Sequence, residues 1–411
     1  MTRYDDLFDE TTPTDSVFAD KGALDPLAKP DKIIARDEQE RQLATILNGV
    51  HEGYLPTTVS IYGPPGTGKT TTTRLVCREF ADRTEQVAVE YVNLKECRTL
   101  FSAANEILLE VSGERKKAYE GLDGVFASLW EALTEYPEYT ILLLDEIDQL
   151  AQDSNYDPND FFYRLLRGEG RLKRGISLST FLISNELLEV DLRLDSRVQS
   201  AMSDEQIFFP PYTEQQLAKL TMPRFRRAFR DCEKILSVKV YSHGLRQAAM
   251  RWGDARKTLT LFRHAGETAN ERELDTITRD CIEVNLEQTD KTATLERITQ
   301  LPLQHFFVLI SITAWTNRRT GEIVQPVTMS QVEDSYAKQS LPDEDSIGVR
   351  AMRDIVTDLE TMGLIETWID SRGSDGRVKQ VETAFDPEWV KDARPQYIEQ
   401  SEHLEHPSES E

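Results

Sequence analysis

Hydrophobic positions recur with two different periods along this chain. Leu43, Ile46, Leu47 and Val50 are spaced as one face of a helix over residues 38–50. The β-branched run Thr58-Val59-Ser60-Ile61-Tyr62 predicts a strand. The glycine-rich GPPGTGKT follows it directly and leads into a helix predicted to run through Arg83. Residues 87–92 read as another strand. Residues 141–144 form a short, unbroken apolar run, as a strand buried on both faces should. Residues 180–184 and 206–209 predict two more. Strands alternating with helical segments predict an α/β domain built on a parallel sheet.

The pattern changes at Pro210-Pro211. Residues 213–288 are helical in period almost throughout. Near Lys291 a third character begins, with amphipathic segments at about 292–317, 327–339 and 346–362. Residues 364–369, the turn SRGSDG and residues 377–384 follow. Helices followed by a hairpin with a glycine-rich tip predict a winged helix-turn-helix. The expected division is a disordered, solvated acidic leader at 1–20, a nucleotide-binding base at 21–209 and a helical lid at 210–289. A winged-helix domain at 290–390 and an acidic, solvated tail at 391–411 complete it. His403 and His406, in that tail, read as exposed side chains rather than metal ligands.

Charge narrows the function. The 411 residues carry 48 basic and 72 acidic side chains, a net charge of −24, so a basic coat over the whole surface is excluded while a local basic patch is not. Few lysines beside many carboxylates suit a salt-adapted surface; an acidic mesophilic protein is the other reading. No run of about 18 apolar residues occurs, and MTRYDDLFDE lacks the apolar core of a signal peptide. Cys77, Cys97, Cys232 and Cys281 are widely spaced with no CxxC pair, which implies neither zinc nor a disulfide framework. A reduced cytoplasm is the expected compartment.

The strongest chemical signal is Gly63-Pro64-Pro65-Gly66-Thr67-Gly68-Lys69-Thr70, a complete GxxxxGK[ST] between a predicted strand and a predicted helix. Glycines there let backbone N–H groups curl around phosphate oxygens, and the helix N-terminus adds partial positive charge. Lys69 would reach the β- and γ-phosphates, and Thr70 would place a hydroxyl on Mg²⁺. In ILLLDEID, residues 141–148, a buried strand delivers Asp145 and Glu146 to the carboxyl edge of the sheet, where open α/β sheets bind ligands. Asp145 would complete the Mg²⁺ shell, and Glu146 would polarise the attacking water. Asn185, closing FLISN, can orient that water; a plain turn after a strand is the alternative. Arg197 in LDSRVQS suits an arginine finger reaching a neighbour's γ-phosphate, with Arg193 as its rival and a surface salt bridge as the alternative for both. Arg256 in GDARKTLTLF can cap the nucleotide from a helix start, or pair with a carboxylate in solvent.

In this order, the phosphate loop, DEID, SNE, LDSRVQS, FFPPYT, GDAR and the winged helix resemble a known family. It is the archaeal origin-recognition type of replication initiator, an AAA+ ATPase with a C-terminal winged helix. The resemblance spans about residues 17–389. It implies ATP or ADP with Mg²⁺ as ligands. It puts Gly63, Gly66, Thr67, Gly68, Lys69 and Thr70 on the phosphates, and Ile33, Ile34 and Arg36 near the base. Tyr212 and Arg224 would line the site from the lid. Asn185 matches sensor 1, Arg256 matches sensor 2 and Arg197 matches the trans finger. The implied partners are double-stranded origin DNA, the replicative helicase and other initiator copies on DNA. A finger supplied in trans implies slow, switch-like hydrolysis in an isolated protomer.

For DNA, the predicted recognition helix offers Arg350 and Arg353 against Asp354, Asp358 and Glu360. The wing offers Arg372, Arg377 and Lys379 against Asp370 and Asp375. The family's DNA-touching helical insertion corresponds to about 98–118, where Arg98, Arg115, Lys116 and Lys117 mix with Glu106, Glu110 and Glu114. A winged helix that grips protein stays open at this level. So do a regulator that holds nucleotide only as a structural ligand and another AAA+ remodelling machine.

Overall fold

A computed structural model describes residues 16–26, 28, 33–97, 99–152, 157–167, 177–185, 195–202, 205–339, 347–371 and 377–405. The chain divides into two compact units, Met1–Ile282 and Glu283–Glu411.

Among the described residues, the first unit is built on five strands: β1 (Thr58–Tyr62), β2 (Val87–Asn93), β3 (Tyr139–Asp145), β4 (Ser177–Ser184) and β5 (Gln206–Phe208). They form one sheet in the order β2-β3-β4-β1-β5, and every pair is parallel. All of β3 is buried, as the unbroken apolar run requires. Its residues alternate between two cores. Ile141 and Leu143 pack with Leu43, Leu47, Val59, Ile61 and Cys77 on one face. Leu142 and Leu144 pack on the other with helices Leu100–Ser112, Gly121–Ala132 and Pro158–Arg167.

The lid comprises helices Glu214–Ala228, Cys232–Ile235, Val238–Arg251 and Ala255–Glu271. Thr213 starts the first with a capping box to Gln216, directly after the Pro210-Pro211 break. Phe225, Phe262 and Tyr241 form its aromatic centre, with the Phe225 and Phe262 rings 4.6 Å apart. One expectation fails here: the leader is not solvated through residue 20. Val17 and Phe18 are buried, Phe18 stacks on Phe229 at 5.4 Å, and the Val17 N–H donates to Asn270 Oδ1 at 2.8 Å. Two large apolar side chains in an otherwise polar stretch outweigh its acidic composition.

In the second unit, helices Leu303–Ile312, Met329–Tyr336 and Val349–Thr361 are followed by a hairpin of two strands, β7 (Ile365–Ser371) and β8 (Arg377–Thr383). The short β6 (Val327–Thr328) pairs with β8 to complete a three-stranded sheet in the order β6-β8-β7. This is a winged helix-turn-helix. Three boundaries differ from the sequence reading. Helix Arg279–Thr299 runs unbroken through the expected division at 289–290. The segment expected at 292–317 is split by Pro302, which precedes helix Leu303–Ile312 as its N-cap. Residues 391–405 belong to helix Glu388–Glu405, whose Val390, Ala393 and Tyr397 are buried. Tyr397 stacks on Phe306 at 3.9 Å, so the solvated tail cannot begin at 391.

Candidate nucleotide-binding site

Strand order decides which residues meet. β3, β4 and β1 are neighbours, so their carboxyl ends set Asp145, Asn185 and the phosphate loop side by side. Lys69 opens helix Lys69–Ala81 and is buried. Its ammonium donates to Gly63 O at 2.6 Å, Pro64 O at 3.0 Å and Asn185 Oδ1 at 3.2 Å. Burial pushes the Lys69 amine down to about 8, and nearby Arg256 adds to this, against the pull of Glu146, Asp145 and Asp148. Thr70, the next residue, donates its hydroxyl to the Asp145 carboxylate, 2.9 Å from Oδ2.

Asp145 receives two further donors. Tyr91, from β2, donates its hydroxyl to Oδ2 at 2.8 Å, and the Glu146 N–H donates to Oδ1 at 3.1 Å. Glu146 sits at φ 58°, a left-handed conformation that costs a non-glycine residue on the order of 1 kcal/mol or more. Burial, with Asp145 and Asp148 alongside, raises the Glu146 carboxyl above its ordinary value. Such a carboxyl takes up a proton more readily, as a group that polarises water should. Asp148 faces Asn185, accepting its side-chain N–H at 3.0 Å and its backbone N–H at 3.3 Å on Oδ2. The amide of Asn185 is thereby oriented, with its oxygen toward Lys69. The hydroxyl of Thr70 and the carboxylate of Asp145 are hard oxygen donors beside the phosphate loop. That donor set fits Mg²⁺, which is commonly held by one or two carboxylates together with phosphate oxygens.

The loop closes against the lid. A Cβ on Gly66, at φ 70°, would run into the Asp254 carboxylate, and one on Gly68, at φ 87°, would lie 2.7 Å from the Tyr212 hydroxyl. Both positions therefore require glycine twice over, for backbone conformation and for space. Thr67 turns its hydroxyl inward to Pro64 O at 2.8 Å. Asp254 caps helix Ala255–Glu271 through the N–H groups of Arg256 and Lys257, and the Ala255 N–H reaches Gly66 O at 3.3 Å. Arg36 joins the parts. It is fully buried, donates Nε to Thr67 O at 2.9 Å and a terminal nitrogen to Pro210 O at 2.7 Å, and lies 3.8 Å over the Tyr212 ring.

Ile33 and Ile34 are half-buried on the chain leading to Arg36, and Arg256 is exposed at the lid helix start. Arg224 is committed elsewhere, donating to Asp25 O at 3.0 Å and Ala28 O at 2.7 Å, so it ties the N-terminal segment to the lid. Arg197 is 76% exposed and pairs with its own helix cap, Asp195, at 2.7 Å. The surface salt-bridge alternative thus describes its contact within one protomer. Arg193 lies outside the described residues.

The second unit presents Arg350 and Arg353 on the exposed side of helix Val349–Thr361, which buries Met352, Ile355, Val356 and Leu359. Lys379 is half-buried on β8 opposite Ile369, and Arg377 begins that strand opposite Ser371. Arg372 lies outside the described residues. In the insertion, Arg115 pairs with Glu106 at 2.5 Å and Lys116 with Glu120 at 3.8 Å, which reduces its free positive charge; Arg98 also lies outside the described residues.

Tyr91, Asp148 and Asp254 join the site although the sequence does not single them out. Asp148 and Asp254 stand inside the motifs DEID and GDAR, which is the signal that could find them. Tyr91 carries no such signal, because its contact exists only once β2 pairs with β3.

Known proteins give the same outline. A family model of the AAA ATPase domain matches residues 32–174, and one of the CDC6 C-terminal winged helix domain matches residues 296–393. An ORC1-type DNA replication protein from Methanosarcina mazei is 30% identical over 382 residues, 92% of this chain and 90% of that one. One from Halobacterium salinarum is 29% identical, covering 88% of each chain. Among solved structures, that of the Aeropyrum pernix ORC1 protein in complex with DNA superposes with a TM-score of 0.69 at 27% identity, covering 93% of this chain and 98% of that one. With a phosphate loop at the edge of a parallel sheet, a helical lid and a winged helix, this chain belongs to the ORC1-type, or ORC1/Cdc6, family of DNA replication initiators.

Proposed function

We propose that this chain is an ATP-dependent initiator that binds double-stranded origin DNA, assembles with further copies of itself there and helps to recruit the replicative helicase. The observation that carries the reading is the junction of Lys69, Thr70, Asp145 and Asn185 at one sheet edge, in a chain that also holds a winged helix.

In this reading the loop from Gly63 to Thr70 grips the phosphates of ATP or ADP. Thr70 and Asp145 hold Mg²⁺, which neutralises phosphate charge when bound. Glu146 polarises water, and Asn185 orients it. Ile33 and Ile34 flank the base, while Tyr212 backs the loop. Arg256 reaches the nucleotide from the lid. Arg197 acts on a neighbour's nucleotide, for which it must leave Asp195. Because the finger comes from another copy, an isolated protomer hydrolyses ATP slowly and works as a switch. Arg350 and Arg353 read the major groove, and Arg372, Arg377 and Lys379 follow the backbone from the wing.

The test is duplex binding in high KCl with ATP or with ADP, using DNA that flanks the protein's own gene and a shuffled control. Preference for the native duplex, modulated by nucleotide, is the expected result. Equal, weak binding to both duplexes under either nucleotide would remove the origin-binding role.

A further inference from the structure

Asp145 stands out among the site's groups for the number of donors that converge on it, and one of them comes from a strand with no expected role. Tyr91 on β2 lies opposite Leu143 of β3, with Asn93 opposite Asp145. The Tyr91 hydroxyl donates to Asp145 Oδ2 at 2.8 Å and accepts from the Asn93 side-chain amide at 3.2 Å. Because Asn93 occupies its lone pair, the hydroxyl proton is directed at the carboxylate. The Arg74 guanidinium covers the Tyr91 ring at 3.7 Å. Arg74 is four residues after Thr70 on helix Lys69–Ala81, so one helix face supplies both the hydroxyl on Asp145 and the cation that holds the tyrosine. The carboxylate is fixed from two sides, by Thr70 and by the Asn93–Tyr91 pair.

We propose that Tyr91 is a positioning residue for the Mg²⁺ site: it holds Asp145 in the rotamer that presents an oxygen beside Thr70, and so sets the affinity for Mg²⁺ bound with nucleotide. The inference rests on the nucleotide-site reading above and deepens it. A carboxylate held in place loses little freedom when it meets the cation, whereas a loose one must be ordered at that moment. Removing a group that orients a metal ligand in this way commonly lowers metal affinity by about 10–100-fold.

The test is Tyr91→Phe in the full chain, which removes the hydroxyl and leaves a ring for Arg74. Binding of a fluorescent ADP is followed as Mg²⁺ is titrated, and its affinity is measured separately in EDTA. The expected result is about a tenfold rise in the Mg²⁺ concentration for half-maximal effect, with the affinity in EDTA unchanged. Asn93→Ala, which keeps the hydroxyl but frees its orientation, shifts the same midpoint in the same direction by about threefold. An unchanged midpoint in Tyr91→Phe, or an equal loss with and without Mg²⁺, overturns the positioning role while the site stands. If the unmodified protein binds ADP no better with Mg²⁺ than without, the metal-site reading itself falls.

Discussion

At the scale of single residues, Lys69 is the group on which pH acts most directly. Its amine is held at about 8 in the folded chain, below the ~10.4 of an unfolded lysine. Between those values the unfolded chain binds more protons. The contribution of this group to stability therefore rises with pH over that window, and its protonated form is a cost below it. Phosphate oxygens at the ammonium would favour the charged form. Nucleotide binding above pH ~8 should then take up a proton, and affinity should fall by up to ~10-fold per pH unit. Calorimetry at pH ~9 in two buffers of different ionisation enthalpy measures that uptake directly. Heats that do not depend on the buffer would show that Lys69 does not titrate on binding.

Elements here are fixed by contacts that reach across long stretches of chain. The N-terminal segment is the plainest case. Besides the Phe18 stack, the Ala19 N–H donates to Ala228 O at 2.7 Å, and Lys21 pairs with Glu267 at 2.6 Å, so residues 16–25 lie along two lid helices. The Phe18 ring also fills the space where a Cβ on Gly266 would stand. Phe18→Ala should lower the stability of the lid by about 3 kcal/mol through the lost burial and the cavity left behind. A thermal melt monitored with and without ADP reads this, and an unchanged midpoint would mean the segment is not holding the lid. Composition conceals the segment because acidic residues surround two apolar ones, and what those two bury against lies more than two hundred residues away in the chain.

For the molecule as a whole, net charge outweighs any single ion pair. At −24, self-repulsion opposes the compact state, and it is screened as the Debye length shrinks from ~30 Å at 0.01 M salt to ~3 Å at 1 M. The melting midpoint should therefore rise with KCl up to about molar concentration. A midpoint that falls over that range would mean that attractive pairs such as Lys21–Glu267 and Lys291–Asp392 outweigh the net repulsion. The same screening bears on DNA. In the proposed complex, attraction between basic side chains and phosphates would weaken with salt, so groove fit and base-edge hydrogen bonds would carry more of any specific binding.

The sequence alone determined the parallel α/β base, the helical lid and the winged helix, because period, apolar run length and the Pro210-Pro211 break are local properties that burial enforces. It also singled out Lys69, Thr70, Asp145, Glu146 and Asn185, which stand at or next to a strand end or a helix start and which the structure gathers at one sheet edge. Helix ends were less legible. Pro302 divides a segment that reads as continuous, and helix Arg279–Thr299 runs straight across a change in sequence character. What only the tertiary structure decided is which groups stand behind those residues. Tyr91 reaches Asp145 through strand pairing, Asp148, just after β3, fixes Asn185 at the end of the neighbouring β4, and Arg36 links the phosphate loop to the lid junction from a buried position. Arg224, expected beside the nucleotide, is instead bonded to the N-terminal segment. Motifs record the groups that meet a ligand, whose spacing along the chain is constrained. The groups that orient them are fixed by sheet order and packing, which bring together residues with no regular separation in sequence.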